Sequence, residues 1–206
     1  MSRRSRGQVG QDLFVLSEFN FKKGGFFVEF GAANGIDLSN TYLLETEFGW
    51  RGILAEPAKG WHEVLKKNRS SPIETDCVWR DSGSVLTFNE VEVGELSTID
   101  SYSGSDAHEE VRRSGKTYKI KTISLEDLLK KYNAPNEIDY LSIDTEGSEF
   151  DILSAFNFDK YLIKIITCEH NFTNTREQVH ALLTQKGYVR RFADNSQLDD
   201  WYVRSE

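Results

Sequence analysis

Short apolar runs of strand length alternate along the chain with longer segments in which apolar residues recur at helical spacing. Five of these runs are rich in β-branched or aromatic residues: residues 26–30, 51–55, 73–78, 138–143 and 162–168. The alternation predicts an α/β fold with a mostly parallel sheet and helices on both faces. Two final runs, residues 188–192 and 201–204, flank a polar turn and predict an antiparallel C-terminal hairpin, which completes a seven-stranded sheet.

The helical patterns cover residues 38–48, 59–68, 150–156 and 173–186, and one more helix is predicted after Ser124, a favoured N-cap residue. The middle of the chain departs from this regularity. Residues 85–88 and 119–123 are predicted to be short strands, the second at a sheet edge. Between them, residues 90–116 are rich in Ser, Gly and charge, and they are too many for an ordinary connection. We expect a substrate-facing insertion there; a mobile loop is the alternative.

Length and composition narrow the class of protein. With 206 residues, the chain suits a single domain over residues 1–206, of which residues 1–25 form a tail and a helix. The net charge of −8 disfavours a nucleic-acid partner, because that affinity comes mainly from Lys and Arg. No run approaches about 18 consecutive apolar residues, so we expect no membrane span. Cys77 and Cys168 lie in apolar runs, which favours reduced thiols and a cytoplasmic location.

Turn-forming and acidic residues follow the predicted strands, and the carboxyl ends of parallel strands share one edge of a sheet. The first strand contains Glu29, and small residues that let the backbone approach a ligand come after it: Gly31, Ala32, Ala33, Asn34 and Gly35. The second strand ends at Glu56 and Pro57. Glu56 stands 21 positions after the last of those glycines, a spacing at which a carboxylate reaches ribose hydroxyls in nucleotide-binding βαβ units.

Acids also end the next strands. The third strand ends at Asp76, Cys77 and Val78, where an acid and a small residue could contact an adenine ring. The fourth and fifth strands end in four candidate catalytic residues: Asp144, Glu146, Glu169 and His170. Acids crowded at one edge repel, so they pair with cations or their pKa values rise, and both outcomes are typical of working sites. Helix capping by the acids and a structural role for the histidine are the alternatives.

The glycine spacing distinguishes between cofactors. A dinucleotide site requires G-x-G-x-x-G, whereas Gly31, Ala33 and Gly35 are spaced as G-x-A-x-G behind an acid. That acid, Glu29, would repel a phosphate and suit an ammonium group. S-adenosylmethionine, with an adenosine at one end and an amino acid at the other, fits both requirements. A nicotinamide-dependent oxidoreductase and a cofactor-binding module without turnover are the alternatives.

Five motifs together resemble one known family: GQDLFVLSEF, FFVEFGAANGIDLSNTYLLE, GWRGILAEP, IDYLSIDTEGSEFDIL and CEHN. With these motifs the chain, from Gln8 onward, resembles the FkbM-type S-adenosylmethionine-dependent methyltransferases. The resemblance implies the Rossmann-like fold of class I methyltransferases. The D-x-E-G-x-E core of the fourth motif is its most specific part.

The resemblance also implies roles for matching residues. Glu29 and residues 31–35 would hold the methionine part, Glu56 the ribose, and Asp76 with Cys77 the adenine. The four candidate catalytic residues would surround the methyl group and the acceptor. Because relatives are mostly O-methyltransferases of sugar or polyketide hydroxyls, a small-molecule or saccharide acceptor is expected, and the insertion would select it.

Methyl transfer to a hydroxyl needs a base that takes the proton. His170 is the first choice, since its unperturbed pKa is about 6.5 and neighbouring acids could orient its ring. Glu146 is the alternative base. The same four residues, Asp144, Glu146, Glu169 and His170, also have the composition of a Mg²⁺ or Ca²⁺ site, in which case they would act as metal ligands.

Overall fold

We describe residues 4–205 of a computed structural model, and residues 1–3 of the predicted tail lie outside that range. Its strands are β1 (Phe26–Phe30), β2 (Arg51–Ala55), β3 (Ile73–Glu74), β4 (Cys77–Trp79), β5 (Val85–Glu90), β6 (Thr98–Ile99), β7 (Lys116–Ser124), β8 (Glu137–Ile143), β9 (Leu162–Glu169), β10 (Tyr188–Arg191) and β11 (Asp199–Arg204). Its α-helices are α1 (Gln11–Glu18), α2 (Tyr42–Phe48), α3 (His62–Asn68), α4 (Glu109–Arg112), α5 (Leu125–Lys131), α6 (Glu149–Ala155) and α7 (Thr175–Gln185).

Seven strands form the main sheet in the order β10-β11-β9-β8-β1-β2-β3. The pairs from β9 through to β3 are parallel, whereas β11 is antiparallel to both of its neighbours. The α/β prediction and the C-terminal hairpin are therefore confirmed, and the sheet is mixed rather than parallel throughout. The carboxyl ends of β1, β2, β8 and β9 lie along the same edge of the sheet, as the site predicted from the sequence requires.

Helices cover both faces of this sheet because side chains alternate along each strand. Val28 and Phe30 pack on one face in a core with residues of α5, α6 and α7. Phe27 points to the other face, where α1, α2 and α3 contribute buried leucines and aromatic residues. The longest described helix is α7 with 11 residues, and none of the described helices is long and apolar enough to cross a bilayer.

A second sheet, which the sequence did not predict, has the order β4-β7-β5-β6. The predicted strand over residues 73–78 is divided between the two sheets. Oε1 of Glu74 accepts the N–H groups of Thr75 at 2.9 Å and Asp76 at 3.1 Å, and these local bonds turn the chain after β3. The predicted edge strand over residues 119–123 is also wrong in placement, because β7 lies between β4 and β5.

Two further boundaries differ from the sequence pattern. The helix predicted from residue 38 begins at Tyr42, because the residues before it make hydrogen bonds to the end of β1 instead. The predicted insertion over residues 90–116 contains short elements of its own: 3-10 turns over Gly94–Leu96 and Asp100–Tyr102, strand β6 and helix α4. The Ser124 cap is confirmed, since its Oγ accepts the N–H of Asp127.

Candidate active site

A cavity lies at the carboxyl ends of β1, β2 and β8, between the main sheet and the second sheet. Nine of the residues singled out in the sequence line it: Glu29, Gly31, Ala33, Glu56, Pro57, Cys77, Val78, Asp144 and Glu146. The other six, which are not in its wall, are Ala32, Asn34, Gly35, Asp76, Glu169 and His170. The predicted site residues therefore divide into nine that line the cavity and six that do not.

The loop after β1 is shaped by close approaches that only glycine permits. Gly31 has φ +71°, and a Cβ there would overlap the carbonyl oxygen of Asp144. Gly35 has φ +80°, and a Cβ there would meet side-chain atoms of Leu65 and Arg69. The first glycine therefore brings the loop against the end of β8, and the second packs it against α3. Gly35 shapes the cavity without lining it.

Asn34 fixes the same loop by an internal turn. Its Oδ1 accepts the N–H groups of Ile36 at 2.8 Å and Asp37 at 2.9 Å. Ala32 is buried at 1% exposure and faces the core. Asn34 and Ala32 position the loop, whereas Gly31 and Ala33 line the cavity.

Glu29 lines the cavity, but its carboxylate is already fully engaged. It accepts hydrogen bonds from Ser39 Oγ, the Asn40 N–H and Thr41 Oγ1, and Arg69 Nη1 lies 3.5 Å from Oε2. The Arg69 guanidinium is itself fully buried. The predicted contact with an ammonium group has no support here, because the protein supplies the donors that such a group would offer. Glu29 instead holds the chain between β1 and α2.

Glu56 is the most distinctive acid of the cavity. Its Oε2 accepts the Ala33 N–H at 2.8 Å and its Oε1 accepts the Ala58 N–H at 2.7 Å. Burial raises the pKa of Glu56 to about 7, although these two hydrogen bonds oppose the rise. Each oxygen retains a lone pair, so the carboxylate can accept two hydroxyl donors at once. This geometry suits the ribose role predicted from the spacing.

The wall next to Glu56 is apolar. Cys77 and Val78 of β4 line it together with Phe88 and Ile99 of the second sheet, and all four are buried. A flat ring system could pack there. Asp76, in contrast, lies before β4 and outside the cavity wall, so the predicted contact of its carboxylate with adenine has no support in the structure.

Three acids meet at the ends of β8 and β9. Asp144, Glu146 and Glu169 each offer a carboxylate oxygen, and these oxygens lie within 4.8 Å of one another. Burial raises the pKa of Asp144 to about 7 and that of Glu146 to about 9, and it raises the pKa of Glu169 well above its ordinary value. Repulsion from Asp144 adds to the pKa shifts of Glu146 and Glu169, whereas the charges of other nearby acids add to that of Asp144. We call these three residues the acid cluster.

A buried cation connects the acid cluster to the insertion. Arg112, at the end of α4, is 1% exposed, and its Nη2 donates to Glu146 Oε2 at 2.7 Å. Its Nη1 donates to Asp106 Oδ1 at 2.8 Å, and its Nε donates to the Leu96 carbonyl at 2.8 Å. Asn171 Nδ2 also donates to Glu146 Oε2 at 3.2 Å. Nothing in the sequence pointed to this arginine beyond its place in the predicted insertion.

His170 does not face the cavity. Its Nδ1 accepts the Phe172 N–H at 3.0 Å, so the neutral ring carries its proton on Nε2, which lies 3.9 Å from Asp200 Oδ1. Burial and nearby Arg176 lower the pKa of His170, so the ring is neutral at pH 7. Its one basic lone pair is already occupied. This geometry supports a structural role for His170 and gives no support to the predicted general base.

Other cavity residues had no role assigned to them from the sequence. Gln11 belongs to the first quoted motif, and it lines the cavity together with Gln8, which precedes that motif. Gln11 is fixed there, since its Nε2 donates to Asp199 Oδ2 at 2.6 Å and its Oε1 accepts the Val9 N–H. From the insertion come Gly94, Glu95, Ser97 and Ile99. The predicted insertion therefore forms part of the cavity wall, and its role in facing the substrate stays a prediction.

The sequence matches the model of the methyltransferase FkbM domain over residues 29–200. The chain therefore belongs to the FkbM methyltransferase domain family, whose members are S-adenosylmethionine-dependent methyltransferases. This assignment covers all the strand ends that form the cavity. No curated protein matches the sequence.

Solved structures with similar folds are also methyltransferases by name. Precorrin-6y C5,15-methyltransferase from Geobacter metallireducens GS-15 is 8% identical over 93% of this chain and 85% of that chain, with a TM-score of 0.49. A candidate RNA methyltransferase from Pyrococcus horikoshii is 11% identical over 88% and 67%, with a TM-score of 0.42. The human methyltransferase 10 domain containing protein is 13% identical over 98% and 84%, with a TM-score of 0.45. No residue role in this chain is taken from them.

The cavity fits the cofactor of the family. Its fixed carboxylate, Glu56, can receive a ribose diol, and its apolar wall at Cys77 and Val78 can receive the adenine. At Gly31 the main chain approaches the end of β8 so closely that no side chain could stand between them.

Proposed function

We propose that the protein is an S-adenosylmethionine-dependent O-methyltransferase that acts on a hydroxyl of a sugar, a glycan or a polyketide-type natural product. The observation that carries this proposal is Glu56, whose two oxygens are held by main-chain amides beside the cavity. Main-chain amides fix the carboxylate more firmly than flexible side chains would. The acids Asp144 and Glu146 line the same cavity and provide acceptors for a hydroxyl proton.

The cofactor would be held by residues of three strand ends. Glu56 would accept both ribose hydroxyls, while Cys77 and Val78 would contact the adenine. The main chain around Gly31 and Ala33 would contact the methionine part, and Glu29 would act indirectly by fixing that loop. When bound, S-adenosylmethionine supplies an electrophilic methyl group whose C–S bond breaks as the new O–C bond forms, leaving a neutral thioether.

The protein's part in the chemistry is to orient the acceptor and to remove its proton. Asp144 and Glu146 line the cavity just after β8, and we propose that one of them takes the hydroxyl proton as the O–C bond forms. Their raised pKa values make them stronger bases than ordinary carboxylates once they are ionised. Glu169 supports them from the end of β9, and His170 fixes the turn that follows it.

An acceptor with neutral hydroxyl groups suits the charge of this site better than a nucleic acid. Acids at the cavity and a net charge of −8 would repel a phosphate backbone. Oxygen-rich neutral molecules can instead donate their hydroxyls to the carboxylates. Saccharides and polyketide-type products have this chemistry.

Calorimetry with S-adenosylmethionine, compared with NAD⁺ and NADP⁺, tests the cofactor. We expect only the first to bind, and Glu56→Gln to weaken its binding by about tenfold or more, because a primary amide accepts with only one oxygen. Glu63→Gln is the matched control, since its side chain is 84% exposed on the neighbouring helix α3. Failure of the wild-type protein to bind S-adenosylmethionine would overturn the proposal.

Turnover is tested by release of S-adenosylhomocysteine with a panel of glycans, polyketide alcohols and short RNAs. We expect product with a hydroxylated small molecule or saccharide and none with RNA. Methylation of RNA alone would contradict the acceptor class while leaving the cofactor assignment intact. Cofactor binding without turnover on any acceptor of the panel would support the binding-module alternative.

A further inference from the structure

One oxygen of the acid cluster lacks any partner. Glu169 is 8% exposed, and its Oε2 is buried without receiving a hydrogen bond from any group in residues 4–205. A buried acceptor without a donor is destabilising, and more so when it is charged. The Glu169 carboxylate belongs to the cluster in which one oxygen from each of the three acids lies within 4.8 Å of the others. Its unpartnered oxygen therefore points to a ligand that carries positive charge or donates hydrogen bonds.

The other two acids also have oxygens available. Both Arg112 and Asn171 donate to Oε2 of Glu146, so Oε1 remains for another ligand. Asp144 lines the cavity, so its carboxylate is also within reach of a ligand there.

The cluster has too little positive charge around it. Among the described residues, Arg112 is the only cation within 4.0 Å of a cluster oxygen, and it also pairs with Asp106. When all three carboxylates are ionised, the one shared guanidinium leaves a net negative charge in a buried place, which a divalent cation would neutralise. Oxygen donors of this kind prefer hard divalent cations over soft metals.

We propose that Asp144, Glu146 and Glu169 bind one hard divalent cation, Mg²⁺, Mn²⁺ or Ca²⁺, at the edge of the cavity. Three carboxylates supply part of the about six to eight oxygen ligands that such ions take, and water or acceptor hydroxyls complete the set. The ion would orient the acceptor next to the cofactor and lower the pKa of its hydroxyl. This role rests on the proposed function, whereas ion binding itself can be measured without it.

Binding of Mn²⁺ to the purified full chain, followed by electron paramagnetic resonance and calorimetry, tests the site directly. We expect one ion per chain. Glu169→Gln should weaken binding by about tenfold or more, because it removes one charged ligand. It should leave the melting temperature unchanged or raise it, since it removes a buried carboxylate without a partner. Glu177→Gln, on the exposed face of α7, removes the same charge elsewhere and should leave Mn²⁺ affinity unchanged.

The outcomes separate the ion from the cofactor. No binding at about 1 mM Mn²⁺ would overturn the cation site, and so would equal affinities for wild type and Glu169→Gln. S-adenosylmethionine binding is measured in parallel with a chelator present. If the cofactor binds and Mn²⁺ does not, only the cation site fails. If Mn²⁺ binds at the cluster and the cofactor does not, the proposed function fails and the cation site stands.

Discussion

Arg112 should contribute more to stability than any surface arginine of the chain, and Arg112→Met tests this. Its side chain is fully buried and makes two ion pairs, at 2.8 Å with Asp106 and at 2.7 Å with Glu146. Methionine keeps much of the volume and removes the charge, so it leaves these two carboxyl groups without their cation. The Leu96 carbonyl also loses its Nε donor.

The expected loss is large. Removing one partner from a buried ion pair costs about 3–5 kcal/mol. For a chain of this size, roughly 2–4 °C are lost per kcal/mol, so the melting temperature should fall by roughly 6–20 °C. Protonation of Glu146 can absorb part of this cost, and because burial raises the pKa of Glu146 to about 9, the full loss is expected only at alkaline pH, where the measurement belongs.

The neighbouring arginine gives a matched control. Arg113 is 64% exposed and pairs with Glu109 and Glu110 at the surface, where such pairs contribute about 0–1 kcal/mol. Thermal and urea unfolding of Arg112→Met and Arg113→Met should therefore differ by several kcal/mol. If both substitutions lower stability equally, or if Arg112→Met costs less than about 1 kcal/mol, the buried network is not what holds the insertion in place.

Three further predictions concern the cavity and the turn that contains His170. Cofactor affinity should fall as the pH drops below about 7, because the protonated form of Glu56, whose pKa burial raises to about 7, accepts hydroxyls poorly; a flat calorimetric profile from about pH 8 to 6 would argue against its ribose role. Gly31→Ala should lower the melting temperature far more than Gly83→Ala, because both have positive φ but only Gly31 lacks space for a Cβ. His170→Asn should retain activity that His170→Ala loses, since asparagine can accept the Phe172 N–H; equal kcat losses would identify the imidazole as the base.

The location of the site could be predicted from the sequence, because it follows from a general property of parallel sheets. Once residues 26–30, 51–55 and 138–143 are recognised as parallel strands, their carboxyl ends must share one edge. Glu56 could be predicted as a site residue from its spacing along the chain after Gly35 alone. The acids after β8 and β9 are close together for the same reason.

The parts that sequence reasoning missed depend on contacts between distant residues. Glu29 is saturated by donors from residues 39–41 together with Arg69, which stands 40 positions later in the chain, and no local sequence pattern predicts that pairing. The strand predicted over residues 73–78 is divided because the Glu74 side chain competes for main-chain N–H groups. Hydrophobic periodicity does not reveal such hydrogen bonds. His170 was predicted to be a base from its residue type. Its role depends instead on which of its ring nitrogens accepts a hydrogen bond from the turn that follows it.

The second sheet has a consequence for how relatives can diverge. Strands β5, β6 and β7 come from one uninterrupted stretch of the chain and pair with one another and with β4, while none of them pairs with a strand of the main sheet. Lengthening or replacing this stretch would leave every hydrogen-bonded strand pair around Glu56 and Gly31 in place. Natural selection can therefore exchange this part of the cavity wall as a unit, and recombination of this stretch between family members would test the prediction that it selects the acceptor.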